Sequence, residues 1–249
     1  MPFFSVVITT HNARKTISKT VRSVLNQTCN DFEIIVVDDC SNDNTVEIIQ
    51  NSLNKQESDV NLVCLKENRG VANARNIGVQ KSTGKYVAFL DDDDTWVENK
   101  LEIQRQYLLK DSVNWIFSNY FVMNEQYEII SKRSLPEGFY QFKKLIENGN
   151  PVGFLTVVIK REILIKHPFM SVHNEDYDLW LSLGKIGLKG YLCRDSLACY
   201  MKRENSTSSN KLKSLFWTYR TLRKYSKNWI STVQCLFGYC INTIKRSNK

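Results

Sequence analysis

The chain has 249 residues, 42% of them hydrophobic and 24% charged, with a net charge of +8. That is enough apolar content for a sizeable core in one large domain, or in one domain with an extension. No apolar run approaches the ~18 residues of a membrane span, and the start Met1-Pro2-Phe3-Phe4 lacks the pattern of a signal peptide. Seven scattered cysteines without a Cys-x-x-Cys pair, beside only three histidines, argue against zinc and fit a reducing cytosol.

Residues 5–9 form a short, β-branched apolar strand. Over 13–27 the apolar positions Ile17, Val21, Val24 and Leu25 recur at helical spacing, with Asn12 as a suitable N-cap. Residues 32–37 are apolar apart from Glu33, as expected of a strand buried on both faces of a parallel sheet. Asp43 or Asn44 can cap the next helix, which carries Val46, Ile48, Ile49 and Leu53. A strand over 60–65, a helix over 70–80 and a strand over 86–90 follow. This alternation predicts a doubly wound α/β unit, in which ligands bind at the C-terminal ends of the strands. All four strand ends are polar: Thr9-Thr10-His11-Asn12, Asp38-Asp39, Glu67-Asn68-Arg69-Gly70 and Asp91-Asp92-Asp93-Asp94. The topology brings them to one edge of the sheet.

Beyond them the pattern predicts a helix over 97–110, capped by Asp94 or Thr95. Strands follow over 113–123, 154–159 and 190–200, and a helix over 176–183 places Leu179, Trp180 and Leu183 on one side. Trp180, Cys64 and Cys199 read as core residues. The polar run 205–210 marks a loop before a tail. Residues 211–249 hold six lysines, three arginines and no acid, which leaves 25 basic and 26 acidic residues in 1–210. The tail therefore points to an anionic partner. Leu212, Leu215, Phe216, Tyr219 and Leu222 share a helix face; Trp229, Ile230, Val233, Leu236, Phe237, Cys240, Ile241 and Ile244 repeat the pattern. Cationic and amphipathic, this reads as an interfacial membrane helix. The alternative is a helix pair packed on the catalytic domain or on a second subunit, as in a homodimer. No nucleic-acid motif is present, so no nucleic-acid partner is expected.

The four consecutive aspartates carry the sharpest signal. Carboxylates crowded at a strand end repel one another, and a hard divalent cation, Mg²⁺ or Mn²⁺, relieves that repulsion while bridging to substrate phosphates. One aspartate would suffice to cap a helix.

Taken together, five segments resemble the family 2 glycosyltransferases, inverting enzymes with the GT-A fold. They are residues 5–12; 36–45, with Asp38-Asp39; Glu67-Asn68-Arg69-Gly70 with Ala74-Arg75-Asn76-Ile77-Gly78; 89–94; and Glu175-Asp176-Tyr177-Asp178-Leu179-Trp180. They stand in the family's order across roughly 4–210. The resemblance implies an α/β GT-A fold, a single Rossmann-like nucleotide-binding domain with a mixed sheet over 1–210, followed by the helical tail 211–249. It also implies site roles. Asp39 would accept a hydrogen bond from the nucleotide base, with Thr9 and His11 flanking that pocket, while Asp38 reads as a turn or cap residue. Arg75 would face nucleotide or diphosphate, or be a surface charge. Asp93 is the expected ligand of Mn²⁺ or Mg²⁺, Asp91 would contact ribose or a metal-bound water, and Asp94 would serve the next helix; Asp92 has no specific role.

Asp176 is the expected general base, its pKa raised by Glu175, Asp178 and partial desolvation. After the last strand, Tyr200-Met201-Lys202-Arg203 with Ser206 and Ser208 resembles the family's diphosphate-closing loop. There the family usually carries arginine and then histidine; Met201 takes the first place and Arg203 the second. Arg203 suits diphosphate through its planar donors. The Gln-x-x-Arg-Trp pattern of processive members is absent, so a single addition is expected.

The implied activity is a hexosyl- or N-acetylhexosaminyl-transferase. It would move one sugar from a nucleotide-sugar, with UDP as the expected nucleotide, to a hydroxyl of a lipid-linked oligosaccharide in O-antigen or capsule synthesis. The expected location is the cytoplasmic, inner face of the membrane. The alternatives are a nucleotidyltransferase, which would want a Gly-rich phosphate loop after the first strand, and a catalytically inactive glycan-assembly protein.

Overall fold

The computed structural model describes residues 1–53, 60–110, 112–147, 149–203 and 211–247. The first part alternates as expected: β1 (Phe4–Thr10), α1 (Ile17–Leu25), β2 (Phe32–Asp38), α2 (Thr45–Leu53), β3 (Val60–Cys64), α3 (Val71–Lys81) and β4 (Tyr86–Asp91). β5 (Thr95–Trp96), α4 (Lys100–Leu108), β6 (Trp115–Met123), β7 (Ile129–Arg133), β8 (Gly138–Tyr140) and α5 (Phe142–Glu147) follow. A 3₁₀ turn (Phe154–Thr156) leads to β9 (Val158–Lys160), α6 (Arg161–Lys166), α7 (Glu175–Lys185) and β10 (Gly190–Met201). The tail forms α8 (Lys211–Tyr225) and α9 (Trp229–Ser247).

Among the described residues the strands form one mixed sheet in the order β3-β2-β1-β4-β9-β6-β10-β5, with β7 on β6 and β8 on β10. β1 pairs in parallel with both β2 and β4, so Thr9 lies between Val37 and Asp91. That register sets the ends of β1, β2 and β4 side by side. β9 runs antiparallel between β4 and β6.

Two apolar layers cover the sheet. Ile17, Val21 and Val24 of α1 join Val6, Ile8 and Leu101 on one face. Helices α3, α5 and α7 cover the other, around Val7, Phe89, Trp115 and Trp180. The Trp115 and Trp180 rings stack at 5.0 Å between centroids, worth about 0.5–1.5 kcal/mol beyond their burial. Trp180 is thus a core residue, as its position in the sequence suggests. Gly78 lets α3 approach β1, because a Cβ there would meet Val7 Cγ1 at 2.3 Å.

Several local expectations are corrected. The 97–110 helix is shortened to Lys100–Leu108, because Thr95 and Trp96 join the sheet against β10. Asp94 therefore caps no helix. Asn12 is not the cap of α1 either; it takes a left-handed φ of 55° and its side chain accepts the N–H of Asn42. The 154–159 strand is cut to Val158–Lys160 by the 3₁₀ turn. Cys64 is exposed, since β3 is an edge strand, and Cys199 is half-buried.

Candidate active site

The strand ends meet through short polar contacts. His11 donates from Nδ1 to the carbonyl of Asp39 at 2.8 Å, and Asn12 donates to its Nε2 at 2.9 Å. A carbonyl can only accept, which places the His11 proton on Nδ1. The two adjacent acids after β2 do different work. Asp38 closes its own turn, accepting from the N–H and hydroxyl of Ser41. Asp39 is buried and accepts the N–H groups of Arg69 at 2.9 Å and Gly70 at 2.8 Å. It thereby fastens the loop after β3 and the head of α3 to β2. A carboxylate offers about four lone-pair sites, so these two bonds leave Asp39 capacity for another donor. Thr9, at the end of β1, is buried beside them.

The four aspartates point in four directions, and each meets a different partner. Asp91 accepts from Arg75 Nη2 at 3.0 Å, and Asp92 from the N–H of His11 at 3.0 Å. Asp93 pairs with Arg203 Nε at 3.0 Å, and Asp94 accepts the N–H of Met201 at 2.8 Å. Asp92 therefore has a role that its sequence position did not reveal: it ties the β4 loop to the β1 loop. Asp94 locks the same loop to the end of β10. Burial pushes the Asp92 carboxyl up to about 6, with repulsion from Asp93 and Asp91 adding to it. Burial likewise raises Asp93 against the pull of Arg203, and raises Asp94 well above the usual range with help from Asp93 and Asp91.

This is a site with four carboxylates against two facing guanidiniums, those of Arg75 and Arg203. It fits a hard cation: Asp91 and Asp93 are 34% and 24% exposed, so their oxygens are reachable. No cluster of three or more metal-ligating side chains forms among the described residues. The protein side of such a site is one or two carboxylates, the usual share where substrate phosphates and waters supply the rest.

The surroundings of Asp176, the expected base, are reached through α3. Arg75 is buried, and its guanidinium stacks 3.5 Å from the Phe154 ring centroid. From there Nη1 donates to Glu175 at 2.5 Å while Nη2 holds Asp91. The next residue, Asn76, exchanges two hydrogen bonds with the backbone of Phe169, at 2.8 and 2.9 Å. The Ala-Arg-Asn-Ile-Gly segment is therefore a clamp. Arg75 grips the head of α7, Asn76 pins the chain leading into it, and Gly78 seats the helix on the sheet.

Asp176 is half-buried in the first turn of α7 and accepts from Asn150 Nδ2 at 2.9 Å. Burial raises its carboxyl to about 6; Glu175 raises it further, and Arg75 and Asn150 hold it down. Asp178 acts elsewhere than expected: it is turned to α8, bonded to Lys224 Nζ at 2.8 Å and to the Tyr225 hydroxyl at 3.0 Å. Asn150 and Phe154 escaped the sequence reading. Their only local sign is the turn-forming Gly149-Asn150-Pro151, with Gly149 at φ 62°.

The tail belongs to this neighbourhood. Besides the Asp178 contacts, Trp217 of α8 stacks on His173 at 4.0 Å, just before α7. On α9, a Cβ at Gly238 would lie 2.4 Å from the Glu147 carbonyl oxygen, and one at Gly149 would lie 2.5 Å from the Tyr239 ring. Helix α9 is thus seated against the segment that presents Asn150 to Asp176. These contacts pack the tail against the rest of the chain, behind the first turn of α7, as the alternative of a packed helix pair has it. Leu222 is buried in that packing, whereas Leu212, Phe216 and Tyr219, expected on the same face, are exposed. Ser206 and Ser208 lie outside the described residues.

Comparisons with known proteins bear on the family and the fold. Residues 5–167 match the family model "Glycosyl transferase family 2". The chain is 34% identical over 244 residues to the Escherichia coli UDP-Glc:alpha-D-GlcNAc-diphosphoundecaprenol beta-1,3-glucosyltransferase WfgD, covering 97% of this chain and 94% of that one. Among solved structures, S. aureus TarS 1–349 in complex with UDP-GlcNAc aligns at a TM-score of 0.71 and 17% identity, covering 97% of this chain and 72% of that one. The mannosyltransferase PcManGT from Pyrobaculum calidifontis, in complex with GDP-Man and Mn²⁺, aligns at 0.73 and 15%, covering 99% and 75%. At such identities these two structures speak to the fold alone, and that fold is GT-A.

Proposed function

The chain belongs to glycosyl transferase family 2 and is a glycosyltransferase; from that premise we propose that it moves one sugar, with inversion, from a UDP-sugar to a hydroxyl of a lipid-linked glycan. The observation that carries the reading is the Arg75 bridge, which joins Asp91 at the strand edge to Glu175, the residue before Asp176. Donor edge and base are thereby held as one cluster. The donor and acceptor classes follow the names of the relatives, WfgD above all.

In this reading Thr9, His11 and Asp39 receive the nucleotide, with the spare lone pairs of Asp39 taking a base N–H. Asp176, raised to about 6, is ionised at neutral pH yet basic enough to accept a proton. It takes the proton of the acceptor hydroxyl as that oxygen bonds to the anomeric carbon. The bond from that carbon to the diphosphate breaks on the opposite face, and its electron pair leaves with the nucleoside diphosphate. Asp93, with Asp91, would hold Mn²⁺ or Mg²⁺, which when bound neutralises charge on the leaving diphosphate. Arg203, released from Asp93, would then face the diphosphate.

Residues 1–210 are the catalytic body in this account, and 211–249 the extension that meets the membrane. No helix among the described residues is long and apolar enough to cross one. The outer faces of α8 and α9 instead expose Phe216, Trp229, Ile230, Val233 and Phe237. With a basic tail around them, these side chains suit an anionic lipid surface, here the inner face of the cytoplasmic membrane.

The test is a panel of nucleotide sugars screened for Mn²⁺-dependent thermal stabilisation, followed by transfer to a prenyl-diphosphate-linked N-acetylglucosamine. A UDP-sugar hit and a product of inverted anomeric configuration by NMR are expected. Stabilisation by no nucleotide sugar, or a retained configuration, contradicts the proposal.

A further inference from the structure

Between the head of α3, the segment at 171–173 and α8 lies a cavity of about 670 Å³. It is not the donor edge: none of Thr9, His11, Asp39 or the four aspartates lines it. Arg69, Arg220 and Lys224 do, with the stacked His173 and Trp217 rings as one wall and Glu175 as the wall nearest the base. The acids of this cavity are already matched, Glu175 by Arg75 and Asp178 by Lys224. Arg220 has no carboxylate partner among the described residues; its guanidinium lies 6.0 Å from the Phe216 ring. At the cavity's edge, the N–H groups of Val71 and Ala72 in the first turn of the 11-residue α3 have no acceptor among the described residues. The Arg69 guanidinium is bonded to Glu67 and Lys224 to Asp178, so among the described residues the positive charge left with no internal anion is that of Arg220, beside the N–H groups at the head of α3.

The sequence of α8 orders what surrounds the cavity. Leu212, Phe216, Arg220 and Lys224 recur every four residues, so they form one stripe along the helix. Leu212 and Phe216 are exposed and apolar, while Arg220 and Lys224 open into the cavity. A ligand lying along this stripe meets hydrocarbon-compatible surface first and phosphate-compatible charge second, ending beside Glu175. That is the order of a lipid, a diphosphate and a sugar.

We propose that this cavity is the subsite for the diphosphate linking the acceptor sugar to its lipid, with the lipid leaving along Leu212 and Phe216. The inference rests on the transfer to a lipid-linked glycan proposed above and assigns residues to its acceptor. A diphosphate held by Arg220 and the N–H groups at the head of α3 leaves the attached sugar on the side of Glu175, the residue before the proposed base. The donor's diphosphate stays on the far side of α3, at Asp91 and Asp93.

The test uses the full-length protein saturated with UDP and Mn²⁺, so that the donor edge is filled, and measures farnesyl diphosphate binding by calorimetry. Arg220→Ala, a substitution at an exposed residue, weakens farnesyl diphosphate about 10-fold, the share of one charge-assisted hydrogen bond. Arg220→Lys restores part of the loss, UDP affinity is unchanged, and farnesol does not bind comparably. Equal affinity for farnesyl diphosphate in wild type and Arg220→Ala overturns the assignment, as does an equal loss of UDP affinity, which would give the cavity to the donor. The two readings fail separately. Arg220-dependent binding in a protein that transfers no sugar keeps the subsite and removes the reaction. Transfer to a lipid-linked acceptor with no effect of Arg220 does the reverse.

Discussion

Arg75 Nη1 lies 2.5 Å from Glu175 Oε1, and through this contact a helix after the third strand positions the head of α7. The same guanidinium holds Asp91 at 3.0 Å. One side chain thus sets the separation between the strand edge and Asp176. A planar fork with fixed donors does this where a point charge on a flexible stem does not.

Arg75→Met should therefore cost both geometry and stability. It leaves Glu175 and Asp91 without their cation, and breaking a buried pair typically costs about 3–5 kcal/mol. Asp91 is a third exposed, so about 2–4 kcal/mol is expected after screening. Chemical denaturation measures the loss, and Arg75→Lys should recover little of the transfer rate.

The pH profile reports the base. As the proposed base Asp176 would act ionised, so the transfer rate should fall as pH drops through about 6. Asn150→Ala removes a donor that holds the carboxyl down, and the acid limb should move to higher pH. Glu175→Gln removes a charge that pushes it up, and the limb should move lower. Opposite displacements in these two variants are the expected result; shifts in one direction for both contradict the assignment.

Gly238→Val tests the tail as a support for the site. A side chain there collides with the Glu147 carbonyl, and such overpacking costs about 1–3 kcal/mol. The melting temperature and kcat should both fall, because the segment carrying Asn150 moves, while affinity for the nucleotide sugar stays. Loss of stability with an unchanged kcat would separate α9 from the base.

Membrane docking is tested on the outer face. Trp229→Ser with Phe237→Ser removes two exposed aromatics. Cosedimentation with phosphatidylglycerol vesicles should weaken by about 10-fold or more, since transfer of each large apolar side chain is worth about 1.5–3 kcal/mol. Activity on a short, water-soluble acceptor should be unaffected.

Much of this site could be read in advance, because parallel strand topology sends every polar strand end to the same edge. His11, Asp39 and the aspartates meet there as their order along the chain predicts. What could not be read depends on contacts distant in sequence. Asp92 looked like a loop residue because its partner, the N–H of His11, is 81 positions away. Asp94 looked like a helix cap because nothing local shows that β10 recruits Thr95 and Trp96. Asn150 has no periodicity to betray it, and Asp178 looked like a neighbour of the base until α8 claimed it. The amphipathic tail announced an apolar face but not which part was covered, since the protein body and a lipid surface select the same residue types.

The central claim rests on Asp176 as the proton acceptor, and Asp176→Asn tests it most directly. The variant keeps the size of the side chain and its contact with Asn150 but removes the basic oxygen. Transfer in the presence of Mn²⁺ should drop by about 10²–10⁴-fold, the usual share of a general base, with UDP-sugar affinity in calorimetry unchanged. Transfer at the wild-type rate, or loss of donor binding in place of loss of transfer, would contradict the account.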